Sequence, residues 1–79
     1  MQNKIKFNFF RDEDGEIHCW NRHMITPDEV KQAFLNFTEE GIAKGTARYR
    51  IGKTNEDKEL CIIFKWDKLN ERVFIITAY

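Results

Sequence analysis

Little in this chain would brace it covalently. Cys19 and Cys61 are its two cysteines in 79 residues, too sparse for the disulfide framework of small secreted domains, and they read as reduced, packed thiols. No stretch approaches the roughly eighteen consecutive apolar residues that a membrane span needs, and Met1 to Lys6 holds no apolar export core. No membrane association is expected, and a cytoplasmic location follows. Excess charge is lacking too: thirteen basic residues balance thirteen acidic ones. This counts against holding nucleic acid through a broad positive field, so no DNA binding by the chain itself is expected, and any RNA contact needs a local patch. Repeats, linkers and low-complexity segments are missing. A length of 79 residues leaves room for one core and predicts a single domain over residues 1–79.

What the chain does have is aromatic mass. Seven Phe, two Trp and two Tyr supply large buried areas, and aliphatic residues cluster at Leu60 to Phe64 and Val73 to Ile76. From Lys4 to Phe9 the pattern alternates, with Ile5, Phe7 and Phe9 on one face, as a half-buried strand requires. The polar run Arg11 to Glu16 contains Asp14-Gly15, which predicts a reversal into a second strand, Ile17 to Trp20. Thr26-Pro27-Asp28-Glu29 reads as a helix start: Thr26 caps, Pro27 suits the first helical position and Glu29 completes a capping box. Ile25 and Val30 fit a hydrophobic staple, and Asp28 and Glu29 favour the positive end of the dipole. Val30, Ala33, Phe34 and Phe37 at i, i+3, i+4 and i+7 define one apolar face, and Gly41 or the acidic pair before it is the expected helix end. A loop through Gly41 and Gly45 then leads to a strand on which Ala47, Tyr49 and Ile51 alternate with Thr46, Arg48 and Arg50. Polar turns at Lys53 to Lys58 and Asp67 to Asn70 separate two apolar strands, Leu60 to Trp66 and Arg72 to Tyr79. These last two read as central strands covered on both faces, one of them by the helix. The expected fold is α+β: an N-terminal hairpin, one capped helix and a three-stranded antiparallel meander, forming one sheet with the helix packed on it.

Three segments resemble a known family. Arg22-His23-Met24-Ile25-Thr26-Pro27-Asp28-Glu29-Val30, Arg48-Tyr49-Arg50-Ile51-Gly52 and Ile75-Ile76-Thr77-Ala78-Tyr79 are similar to the BrnT-like toxins and their uncharacterised relatives in the RelE-like ribonuclease group. In that family a basic-His-Gly turn enters a capped helix, an Arg-x-x-Ile-Gly-like strand follows, and the sheet ends near Ile-Ser-Ala-Arg. Here Met24 stands at the turn glycine and Tyr79 at the terminal arginine. The resemblance implies a metal-independent endoribonuclease, the toxin of a toxin-antitoxin pair, with an antitoxin protein and RNA as partners and no cofactor.

Cleavage of that kind needs a base for the ribose 2′-hydroxyl, an acid for the leaving oxygen and cations for the phosphorus centre. Arg48 and Arg50 lie on one strand face, where forked donors match phosphate oxygens; the plain alternative is a solvated face of an outer strand. His23, in the family's matching position just before the helix, is the acid-base candidate, against a hydrogen-bonded turn residue. Tyr79 could donate a proton or stack on a base, against rim packing. Arg22 and Lys65 are the RNA-binding candidates: Arg22 binds phosphate or stays solvated, and Lys65, which interrupts an apolar run, points into a cleft or snorkels. His18 ranks below His23. A zinc site from His18, Cys19, His23 and Cys61 is disfavoured, because neighbours on a strand point to opposite faces. No Gly-rich phosphate loop, Ser-His-Asp pattern or paired-carboxylate motif occurs; Asp12, Glu13 and Asp14 read as solvated turn charges. A second reading, a non-catalytic protein-binding module on the same scaffold, is favoured by zero net charge, two histidines and Tyr79 in place of arginine. The two differ in geometry: a ribonuclease gathers Arg22, His23, Arg48, Arg50 and Tyr79 around one concavity, whereas a binding module scatters them.

Overall fold

The computed structural model describes residues 5–11, 13, 15, 23–67, 69 and 71–79. Helix α1 (Pro27–Leu35) begins with the capping box that its sequence spells out. Thr26 is extended, its hydroxyl accepts the Glu29 N–H at 3.2 Å, and the Glu29 carboxylate accepts the Thr26 N–H at 3.0 Å. Two otherwise orphaned donors are thereby satisfied. The helix buries Val30, Ala33 and Phe34.

It stops at Leu35, short of the expected end near Gly41, and the expected loop beyond it is a strand. Asn36 leaves the helical conformation (φ −107°, ψ 51°). Its carbonyl accepts the Lys53 N–H at 3.2 Å and its side-chain amide donates to the Lys53 carbonyl at 3.3 Å. With the helix end tied there, Phe37 onward forms β2 (Phe37–Lys44), antiparallel to β3 (Ala47–Lys53). Helical spacing at Phe37 loses to this pairing, a tertiary effect that outweighs local periodicity. Gly45, at φ 60°, takes the left-handed position in the tight turn between β2 and β3.

β4 (Glu59–Asp67) and β5 (Arg72–Ala78) complete a four-stranded antiparallel run from β2, one strand longer than the expected meander. β1 (Lys6–Phe9) pairs with β5 in parallel, Lys6 opposite Arg72 and Phe9 opposite Ile75. The expected hairpin partner of β1, residues 17–20, and the expected start of β1 at Lys4 lie outside the described residues. The result is an α+β fold whose five-stranded mixed sheet runs β1-β5-β4-β3-β2.

Register decides the two faces. Leu60, Ile62 and Phe64 of β4 and Val73, Ile75 and Ala78 of β5 pack with Ile25, Val30, Ala33 and Phe34 in one cluster. Phe34 is its centre, edge-on to Phe7 (5.4 Å) and Phe64 (4.9 Å) and stacked on Trp66 (5.9 Å). Each such aromatic pair adds roughly 0.5–1.5 kcal/mol beyond area burial. Arg48, Arg50 and Gly52 lie opposite Phe64, Ile62 and Leu60, so they share the helix-side face. The solvated-outer-strand reading of the arginines is therefore corrected: β3 is internal, with β2 outside it, and its arginines face the helix layer. Tyr49 and Ile51 lie opposite Ile63 and Cys61 on the other face. The expected cover on that face is not provided by a described element: Ile51, Cys61 and Ile63 are half-buried and Phe74 is 39% exposed.

Candidate functional site

Arg50 is committed to the fold. Its guanidinium lies 4.2 Å from the Phe34 ring centroid and 3.9 Å from that of Phe37, donates to the Phe34 carbonyl at 3.0 Å and pairs with Glu40 at 3.2 Å. Its side chain is 16% exposed. A cation held between two rings, a carboxylate and a helix-terminal carbonyl has few donors left for a phosphate.

Arg48 shares the face but not the surroundings. It lines a cleft of about 350 Å³ with Thr46, Trp66, Asp67 and Leu69 at the end of the sheet. Its Nε is shut away from solvent without a hydrogen-bond partner.

His23 and Tyr79 are brought together, their rings 6.2 Å apart. Tyr79 follows β5 and exchanges backbone hydrogen bonds with Cys61, at 2.8 and 3.0 Å. The neighbouring Cys61 thiol, through hydrogen bonding and then charge, with a smaller contribution from desolvation, raises the Tyr79 phenol above its ordinary pKa. Cys61 lies opposite Ile51, on the face turned away from the arginines. Lys65 is exposed, opposite Phe74 on that same open face. Arg22, His18 and Cys19 lie outside the described residues. Among the described candidates, then, His23 and Tyr79 meet, Arg48 and Arg50 lie across the sheet from Tyr79, and Arg48 and Tyr79 line different clefts. Among the described residues no cluster of three His, Cys, Asp or Glu side chains stands where it could hold a metal ion.

Sequence reasoning did not single out the largely apolar groove of the open face. It measures about 410 Å³ and is lined by Glu39, Tyr49, Ile51, Cys61, Ile63 and Tyr79 among others. Tyr49 donates to Glu39 at 2.8 Å, and that bond raises the Tyr49 pKa. The groove borders β2, an edge strand in the described sheet with most residues exposed, Ile42 at 72% and Phe37 at 40% among them. The signal was present: Cys61 and Ile63 make the second face of β4 apolar, and no second helix is read in the sequence to cover it. No helix among the described residues is long and apolar enough to cross a membrane. Comparison with protein-family models, curated proteins and solved structures finds no match.

Proposed function

We propose that this protein is a small binding module that takes an extended segment of a partner protein along the edge of β2, with apolar side chains of that segment entering the adjoining groove. The carrying observation is the juxtaposition of a solvent-facing edge strand and a half-buried apolar groove beside it. Backbone pairing to an edge supplies affinity, and alternate side chains in the groove supply selectivity. Glu39, exposed on β2 and lining the groove, favours a segment carrying basic side chains. Thr77, opposite Ile63 on the open face, has a buried hydroxyl without a partner, a polar point beside the apolar lining.

The test is an amide-resolved NMR titration of the full chain with a synthetic eight-residue peptide alternating isoleucine and lysine. Saturable shifts confined to β2 and the groove, lost in Ile51→Glu and weakened when glutamate replaces the peptide's lysines, support the module. Shifts absent at saturating peptide overturn it.

The endoribonuclease reading rests on the resemblance and on one favourable observation, the approach of the His23 and Tyr79 rings to 6.2 Å. Against it stand the commitment of Arg50 to the fold and the placement of Arg48 on the far face from Tyr79. Growth arrest and RNA cleavage on induced expression, abolished in a folded His23→Ala variant, would replace the binding module with the toxin.

A further inference from the structure

We infer that the Arg48 cleft is a binding site for a small aromatic carboxylate, distinct from the open-face groove. A buried donor without a partner is uncommon in folded proteins and calls for a physical reason. Here the donor is the Nε of a guanidinium, with no ion pair to Arg48 among the described residues. Its neighbour Arg50, two residues along the same strand and on the same face, spends its donors on Glu40 and Phe34. The contrast separates an arginine spent on the fold from one whose Nε is buried unbonded and whose terminal nitrogens carry no hydrogen bond among the described residues.

The lining sets the ligand class. The two terminal nitrogens of a guanidinium present parallel N–H donors at the spacing of carboxylate oxygens. Trp66 supplies an aromatic wall, and Thr46 adds a hydroxyl that can donate or accept. Asp67 also lines the cleft; its negative charge opposes a dianion such as a phosphate monoester more strongly than a singly charged carboxylate. A volume near 350 Å³ lies at the lower end of small-ligand sites, about 300–1,000 Å³, which suits one ring and its acid group. Trp66 is anchored from behind by stacking on Phe34 at 5.9 Å, so the wall is preorganised.

The experiment is a ¹⁵N-resolved NMR titration of the full chain with benzoate and with indole-3-acetate, beside parallel titrations with inorganic phosphate and uridine 3′-monophosphate. The readouts are the Arg48 Nε–Hε and Trp66 indole N–H resonances, with Arg50 Nε–Hε as the internal control. Expected are saturable shifts of Arg48 and Trp66 with the aryl carboxylates while Arg50 stays in place. In Arg48→Gln, a variant whose fold is checked by its amide spectrum, the affinity read from Trp66 falls about 10–100-fold, the loss of a charge-assisted pair. Arg48→Lys, which keeps the charge and loses the fork, weakens binding as well. Unmoved Arg48 and Trp66 resonances, Trp66 shifts of equal strength in Arg48→Gln, or saturation by the phosphates alone would each overturn the assignment.

Discussion

Replacing Gly52 with alanine probes how the helix is seated. Gly52 is buried in β3, and a Cβ built there would lie 2.0 Å from the Ala33 carbonyl oxygen, 2.8 Å from that of Asn36 and 2.9 Å from the Ala33 carbonyl carbon. All three atoms are backbone, so no side-chain rotation relieves the overlap; α1 must lift from the sheet by more than an ångström. A gap of about 0.5–1 Å already forfeits a quarter to a half of a dispersion well. The helix face carries Val30 and Phe34, worth roughly 1.5–3 kcal/mol each when buried, with a smaller amount from Ala33. Losing about half of that, together with the Asn36–Lys53 hydrogen bonds that tie the helix end to β3, gives a destabilisation of about 2–4 kcal/mol. Domains of this length hold roughly 4–12 kcal/mol in all, so the melting temperature falls by roughly 10–30 °C. Urea unfolding followed by circular dichroism measures the loss directly. Gly41→Ala is the control: its Cβ would meet the Tyr49 ring from 2.6 Å, and an exposed ring end can swing aside, for a cost below about 1.5 kcal/mol. If Gly52→Ala costs no more than Gly41→Ala, the helix does not rest on β3 as described and the reasoning fails.

Further expectations follow from the same contacts. Arg50→Ala removes the cation between Phe34 and Phe37 and the bond to the Phe34 carbonyl, and lowers stability by about 2–3 kcal/mol in denaturant unfolding; Arg50→Lys recovers less than half of it, because an ammonium cannot reproduce the planar fork. Glu29 has its pKa lowered from 4.5, first by the Thr26 backbone N–H and also by Lys58, against opposing desolvation. The folded chain therefore releases this proton more readily than the unfolded one. The resulting stability is present above the ordinary carboxylate pKa and disappears as pH falls through the depressed value, so Glu29→Gln flattens the acid limb of a stability-versus-pH curve. Met24, 77% exposed at φ 58°, holds a left-handed backbone that costs a non-glycine residue about 1 kcal/mol; Met24→Gly raises stability by about 0.5–1 kcal/mol in the same unfolding assay, and a destabilised variant would contradict that strain.

A double change at Arg48 and Arg50 mixes one half-buried residue that lines a cleft with one that braces the helix against β2 and β3, so loss of function in it would report folding as readily as chemistry. Arg48 alone separates the two, since no aromatic ring or ion pair of the described structure depends on it.

Local chemistry alone determined the start of α1: Thr26, Pro27 and Glu29 meet the needs of orphaned N–H groups within one turn, and no distant residue is required. It also determined β3, β4 and β5 closely, because alternation and polar turns at residues 53–58 mark strands irrespective of what they pair with. The end of α1 and the identity of β2 were decided only in three dimensions. Phe37 fits helical spacing from Val30, but its backbone pairs with Gly52 and its ring covers Arg50, contacts made across some fifteen residues of chain. The parallel pairing of β1 with β5 joins the two ends of the chain, and no local pattern encodes a partner that far away. The site divided in the same manner. Alternation correctly put Arg48 and Arg50 on one face, yet register against β4, and not period, chose the face that meets the helix. A period of two says which residues travel together; only the packing of α1 over Gly52 says which way they point.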